Sequence, residues 1–366
     1  MSKLKSLFGA AVDRLQVMVD KSKTLYAPLF YPRFFDVAPP QQSLTYVSTI
    51  GRNRVEAAAS VVDRDGKTPL RSRQGLEKLS GEIPAIKEMF ILKESDYRDF
   101  LAIQGMQGVD DATKLNQLLD LVWGDVKRSG DSCHKRIDIM VLQALSTGKI
   151  PLNTTNNPDG IVLDTEIDLL MSASNKKQAA VTWATAGSAT PITDIETVVT
   201  DAKSRGYSFE KILMSFALWL KFKKTTEVIQ SMQAYFYGPK PGAGFNPIAV
   251  TTLDKVNEFL QANKLPIIEI VDESIGVEKD GAITTTNFFD ANNATFVPAG
   301  KLGSIKNALA IEKIKPVQHV TYADYNKVLI SKWSSNEPFG EFTKGEWNAF
   351  PAWEAIDACY LLTCVF

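Results

Sequence analysis

Apolar and polar positions change period several times along the chain, and each change marks an element. Near the N-terminus Leu4, Leu7, Phe8, Ala11, Leu15, Met18 and Val19 recur at helical spacing with Lys and Asp between them, which predicts one amphipathic helix or arm. Few cations line its polar face, so packing on a neighbour suits it better than a membrane surface. From Ser43 to Leu92 the rhythm turns β-like: LTYVSTI and AAASVVDR, a turn at DRDGKTP, a basic RSRQG stretch, then GEIPAIKEMFIL. This reads as a long two-stranded excursion. With few large apolar side chains at its tip it cannot bury much of itself, and it needs the body of the chain or another subunit to lie on.

From Asp110 the period becomes helical and stays so. Leu115, Leu118, Leu119, Val122, Val126, Cys133, Ile137, Met140, Val141, Ala144 and Leu145 define one long helix, with Asp110 and Asp111 at its positive end and Gly148 and Lys149 as its stop. It would be on the order of 50 Å long, a framework strut, with Gly130 as a place for a bend. KIPL and IVLDTEIDLLM then predict a β-hairpin across the NNPDG turn.

Beyond the hairpin, Thr193 and Glu196 form a capping-box pattern for a helix running to Gly206. The strand-like KILMS, an apolar helix through Phe216, Leu220, Val228 and Met232, and a helix carrying Leu253, Val256, Phe259 and Leu260 follow. LPIIEIVD, a KDG turn and ATFVPAGKLG complete an α/β lobe that closes near Leu309. The tail holds WSSNEPF, EWNAFPAW and ACYLLTCVF; its last strand is too apolar to dangle and is expected to return to the framework.

Composition narrows the picture. At 366 residues, 45% apolar and 10% aromatic, the chain buries a full core and divides into two or three lobes. Its 41 Lys plus Arg against 42 Asp plus Glu give a net charge of −1, so the long-range field that gathers nucleic acid is missing and any DNA contact is local. Cys133, Cys359 and Cys364 have no close pair at metal-ligand spacing and suit free thiols in a reducing compartment. No apolar run reaches membrane length and the start lacks an export pattern, which points to the cytoplasm.

Candidate chemistry is sparse. Cys133 and His134 are adjacent, but neighbours on a helix point about 100° apart. His319 precedes a Thr-Tyr-Ala-Asp turn, and two histidines offer little to a zinc site or a triad. Asp164, Glu166 and Asp168 share one face of a regular strand and could hold a hard cation, though a solvated face or an intersubunit salt-bridge row explains them more simply. Glu269, Asp272 and Glu273 surround the end of a buried-type strand without a Gly-rich loop beside them. Lys221, Lys223 and Lys224 around Phe222 read as a solvated helix face. Neither GxGxxG, nor a Walker loop, nor a nucleophile elbow occurs.

Taken in order, the segments resemble the lambda E-type major capsid proteins of tailed bacteriophages. RFFDVAPP, VEAAASVV, RSRQG and GEIPAIKE resemble that family's opening stretch and extended E-loop; QALSTGKI and DGIVLDTEID resemble the end of its spine helix and the first strands of its peripheral (P) domain. VTWA, TDIETVV, KILMSFALWLKF, IIEIVDE and FVPAGKLG resemble the axial (A) domain; KWSSNEPFGEF and AFPAWEAIDACYLLTCV resemble the closing stretch and final strand. The resemblance spans Phe34 to Val365 and lies in the order of segments.

It implies an α+β fold of the Hong Kong 97 type, with an N-terminal arm at 1–42, an E-loop at 43–92, a P domain with the spine helix at 93–185, an A domain at 186–310 and a return to the P domain at 311–366, the tail strand closing the P-domain sheet. The implied role is a structural, non-enzymatic shell subunit that joins itself in pentamers and hexamers, with no cofactor or metal. Its partners would be a separate scaffolding protein, since no long charged N-terminal extension is present, together with a portal, a decoration protein and weakly held double-stranded DNA. The protein would reside in the virion after assembly in the host cytoplasm. Arg71, Arg73, Glu82 and Glu88 become intersubunit contact candidates, and Lys67 or Lys78 with Asn336 the pairs that a covalent weld would use. The rival readings are an encapsulin-like nanocompartment and an α/β hydrolase using Asp164, Glu166 or Glu269.

Overall fold

The computed structural model describes residues 28–51, 76–96, 98, 111–153, 157–158, 165–238, 251–279, 281–337 and 339–366. The expected N-terminal helix, the tip of the 43–92 excursion with Lys67, Arg71 and Arg73, Asp110 and Asp164 lie outside them, as do the side chains of 49–51, 76–79 and 111–123.

A 3-10 turn (Tyr31–Arg33) leads into strand β1 (Phe35–Val37), the paired β2 (Thr45–Gly51) and β3 (Leu76–Glu82), and β4 (Ala85–Lys93). Helix α1 (Asp111–Thr147) follows, then the hairpin β5 (Lys149–Leu152) and β6 (Thr165–Asp168), and β7 (Lys176–Gln178). The next stretch runs α2 (Pro191–Ser204), β8 (Lys211–Ser215), α3 (Phe216–Phe222), α4 (Thr226–Tyr237), α5 (Leu253–Ala262) and β9 (Ile267–Val271). The hairpin β10 (Ser274–Lys279) and β11 (Ala282–Asn287) precedes β12 (Asn293–Val297) and β13 (Gly303–Ala308). The chain ends with α6 (Ile311–Ile314), β14 (Thr321–Tyr325), β15 (Val328–Asn336), β16 (Phe339–Ala352) and β17 (Tyr360–Thr363).

Helix α1 is 37 residues long, roughly 55 Å at 1.5 Å per residue. Gly148 stops it: its φ of +73° is a left-handed conformation that costs glycine nothing, and its N–H donates to Ala144 O at 2.8 Å. The last carbonyls are capped from β12, where Thr295 Oγ1 donates to Leu145 O at 2.7 Å and Asn293 Nδ2 donates to Ser146 O at 2.9 Å. Residues 137 to 142 are all buried, which one covered face cannot produce. The helix is pressed by β16 on one side and tied to β12 on another.

Gly130 does not break α1. It admits the Tyr325 ring, since a Cβ there would stand 2.3 Å from Tyr325 Cδ1; Gly345 of β16 likewise lies so close that its Cβ would stand 2.4 Å from Ser129 O. Tyr325 then donates to Asp131 Oδ1 at 2.9 Å, fixing the tight β14–β15 turn on the helix.

Two sheets flank this strut. One has six strands in the order β1-β13-β16-β15-β14, with β4 also paired to β16 over nine residues. The other has five in the order β7-β17-β12-β8-β9 and carries a separate apolar core with α2 to α5, including Trp183, Trp219, Phe222 and Phe296.

Strand pairing runs across the expected domain bounds. Residues 28–42 are part of the body: Phe30, Tyr31, Phe34 and Phe35 are buried, and β1 pairs in parallel with β13. β7 pairs in the five-stranded sheet, and Trp183 packs in the core of that lobe. β13 lies in the six-stranded sheet, while the tail strand β17 lies beside β12 in the five-stranded one. The apolar helix through Phe216 and Met232 is two helices, α3 and α4. Thr193 and Glu196 do not cap α2, which starts at Pro191; Glu227 of α4 does so, accepting from the Ile192 N–H at 2.7 Å and the Thr193 hydroxyl at 2.6 Å.

Candidate intersubunit surfaces

Most of the described residues that suggested catalysis are engaged in contacts within the fold. Burial pushes the Cys133 thiol up to about 12 and pulls His134 down to about 4; the thiol approaches Ile86 O at 3.8 Å, while the imidazole packs between Tyr31 and Trp347. Glu166 pairs with Lys149, and Asp168 accepts from the Leu170 N–H at 2.8 Å. Glu269 pairs with Arg33 and, at 3.0 Å, with Lys211, joining the N-terminal segment to β9. Phe222, taken as the aromatic of a basic patch, is buried between the rings of Trp183 and Trp219. His319 sits exposed in a turn at φ +66°. Asp272 and Asp290 line an open cleft of about 410 Å³ with Phe216, Leu220 and Phe288, and no histidine or cysteine faces it. Among the described residues no cluster could ligate a metal, and no helix is long and apolar enough to cross a membrane.

The surface is more informative. β4 is the return strand of the excursion, and cross-strand register fixes its faces. Gly345 and Trp347 of β16 point to α1, so Phe342, Lys344 and Glu346 point away from it. Ile91 opposes Phe342, which opposes and stacks on Trp333 at 5.3 Å. Met89 extends this apolar row; it is 53% exposed and Ile91 39%. Beside the row an ion ladder joins Lys87 to Glu346 at 3.2 Å, Glu346 to Lys344 at 2.7 Å and Lys344 to Glu312 at 2.8 Å.

The β2–β3 pair is rooted on the same sheet by Tyr46, whose buried ring stacks on Phe350 at 5.1 Å over Gly81. Next to it Val47, on the opposite face, is 62% exposed, and Leu44 is also exposed. Glu82 ends β3 opposite Thr45 and is exposed. Glu88 is exposed too, but its charge acts on Arg136 and Cys133 of α1. Arg71 and Arg73 lie outside the described residues. The sequence candidates here were charges, and Met89, Ile91 and Val47 were not among them; for Met89 and Ile91 the alternation within GEIPAIKEMFIL was the available signal, masked by the continuous apolar run.

The family profile described as phage major capsid protein E matches residues 12–364. None of the curated proteins matches. Among solved structures, a prophage protein from E. coli CFT073 assigned as a capsid protein superposes with a TM-score of 0.59 at 15% identity, over 96% of this chain and 98% of its own. A phage-related protein from Bordetella bronchiseptica RB50 gives 0.47 at 13% identity, over 95% and 96% of the two chains. A chain of the cyanophage A-1(L) capsid gives 0.45 at 11% identity, over 93% and 94%. These two scores add nothing to the fold assignment, which the E. coli structure carries: the mixed α+β architecture is the Hong Kong 97 type. With the profile spanning nearly the whole sequence, the chain belongs to the phage major capsid protein E family and is a structural protein of the virion shell.

Proposed function

We propose that the subunit closes into an icosahedral head through pentamers and hexamers, and that the β2–β3 excursion and the β4 row are where one subunit lies on the next. The observation that supports this most is the apolar row Met89, Ile91, Phe342 and Trp333, carried on a sheet face where no described element lies over Met89 and Ile91. Glu82 with Arg71 and Arg73 would form the polar rim of that contact. Many modest interfaces of this kind give a shell that is strong collectively and correctable during assembly.

In this reading the six-stranded sheet with α1 forms the P domain, and the five-stranded lobe forms the A domain around the symmetry axes. The subunit performs no catalysis. A separate scaffolding protein, a portal and a decoration protein are its partners, and assembly occurs in the host cytoplasm. Packaged double-stranded DNA touches it weakly, as a net charge of −1 supports. Expression with and without a candidate scaffolding protein, followed by size-exclusion chromatography and negative-stain electron microscopy, tests this. Closed shells, tubes or capsomers are expected; a strictly monomeric species with scaffold present would overturn it.

A further inference from the structure

The β10–β11 hairpin presents an edge that no described element covers. Its two strands form a sheet of their own, so β11 has a neighbour on one side, and all six of its residues are exposed. Ile275 and Val277 of β10 pack in the core that α1 shares, while Ile283 of β11, near the tip, is 71% exposed. A two-stranded ribbon is marginal by itself, and this one is supported along β10.

Register fixes which backbone groups of β11 point outward. Lys279 pairs with Ala282 across the two-residue turn, so these two exchange both of their hydrogen bonds, and every second pair beyond them does the same. Val277 with Thr284 and Ile275 with Thr286 are therefore bonded pairs, and the N–H and C=O groups of Ile283 and Thr285 face away from β10. Among the described residues these outward groups meet no partner.

Three other sheet edges are blunted. β7 is three residues long and carries Lys176 and Lys177; β14 carries Asp324, paired with Lys313. At β9 the Asn257 side chain of α5 accepts from the Ile268 N–H at 2.8 Å and donates to Ile268 O at 2.9 Å, taking the place of a strand. β11, Ala-Ile-Thr-Thr-Thr-Asn, has no charge, no proline and no glycine. It is an edge that meets no like-charge repulsion from its own copy.

We propose that β11 pairs with β11 of a second copy, antiparallel about a two-fold axis, with Thr284 opposite its own counterpart. In that register Ile283 of each strand exchanges hydrogen bonds with Thr285 of the other, so the outward groups are satisfied on both sides. The two Ile283 side chains become diagonal neighbours on one face, within reach of each other, and leave water together. Thr opposite Thr and Ile opposite Thr are pairings that sheets favour. The pairing rests on the shell reading, which brings identical subunits side by side, and adds a contact separate from β2–β3 and the β4 row.

Thr284→Cys in the full-length protein tests this, because the native Cys133, Cys359 and Cys364 are buried and a facing pair between hydrogen-bonded pairs has its Cα atoms about 4.5 Å apart, within disulfide range. Assembled particles and concentrated soluble protein, oxidised with diamide and run on non-reducing gels, should give at least about tenfold more dimer for Thr284→Cys than for Thr286→Cys, whose counterpart lies about 13 Å away in this register. Adding Ile283→Pro removes one outward N–H, leaves the β10 ladder intact and should cut the dimer at least about tenfold. No dimer in either sample, or equal dimer from both cysteines, would overturn the pairing even where closed shells form. A Thr284→Cys dimer in solution without shells would uphold it and count against the shell reading alone. If the variants do not fold, hydrogen exchange of the wild type decides: the Ile283 and Thr285 N–H groups should slow at least about tenfold in assembled or concentrated protein relative to dilute subunit, and unchanged exchange would sink the pairing.

Discussion

In the five-stranded sheet the central strand β12 is buried at all five positions, whereas in the six-stranded sheet none of the nine residues of β4 is fully buried. The five-stranded lobe has helices of its own to cover it, and its core closes within one chain. At β4 the six-stranded sheet is covered by α1 on one face, and on the other, among the described residues, Met89 and Ile91 remain exposed beside Phe342 and Trp333. In the proposed reading the two lobes divide the labour: one closes its core within the chain, and the other completes its burial by assembling.

Breaking the self-contained lobe should have the largest effect on the single chain. Phe222→Ala removes a fully buried ring between Trp183 and Trp219 and is expected to cost about 3–5 kcal/mol in urea unfolding, with exchange protection lost first in β8 and β12. Gly345→Ala forces β16 away from the Ser129 backbone; about 2 kcal/mol of destabilisation is expected in the same assay, in the six-stranded lobe. Glu227→Ala uncaps α2 and should cost about 1 kcal/mol, seen as fraying of its first turn. Met89→Ser should change the stability of the free subunit by less than about 0.5 kcal/mol, since about half of its surface is exposed, yet reduce the particles seen in negative-stain fields.

The self-contained parts were the legible ones. A 3.6-residue period placed α1 to within a residue at each end, because one sustained apolar stripe has no competing reading. β8, β9 and β12 were legible as short buried runs for the same reason. Partner choice was not: β17 reads as an apolar strand whichever sheet receives it, and the period of two is silent about neighbours. Glu227 capping a helix 35 residues upstream and Gly130 admitting Tyr325 are long-range contacts that leave no local pattern. The contact candidates were legible only as charges. The continuous run from Met89 to Leu92 looks buried on both faces, and nothing local says that only one of them meets α1.

The most direct test compares hydrogen exchange in the free subunit and in purified assembled particles. The account predicts that residues 85–93 gain strong protection on assembly, while β12 at 293–297 exchanges equally slowly in both states. Equal exchange of 85–93 in subunit and particle would contradict it, because the face that no described element covers would then stay open in the shell.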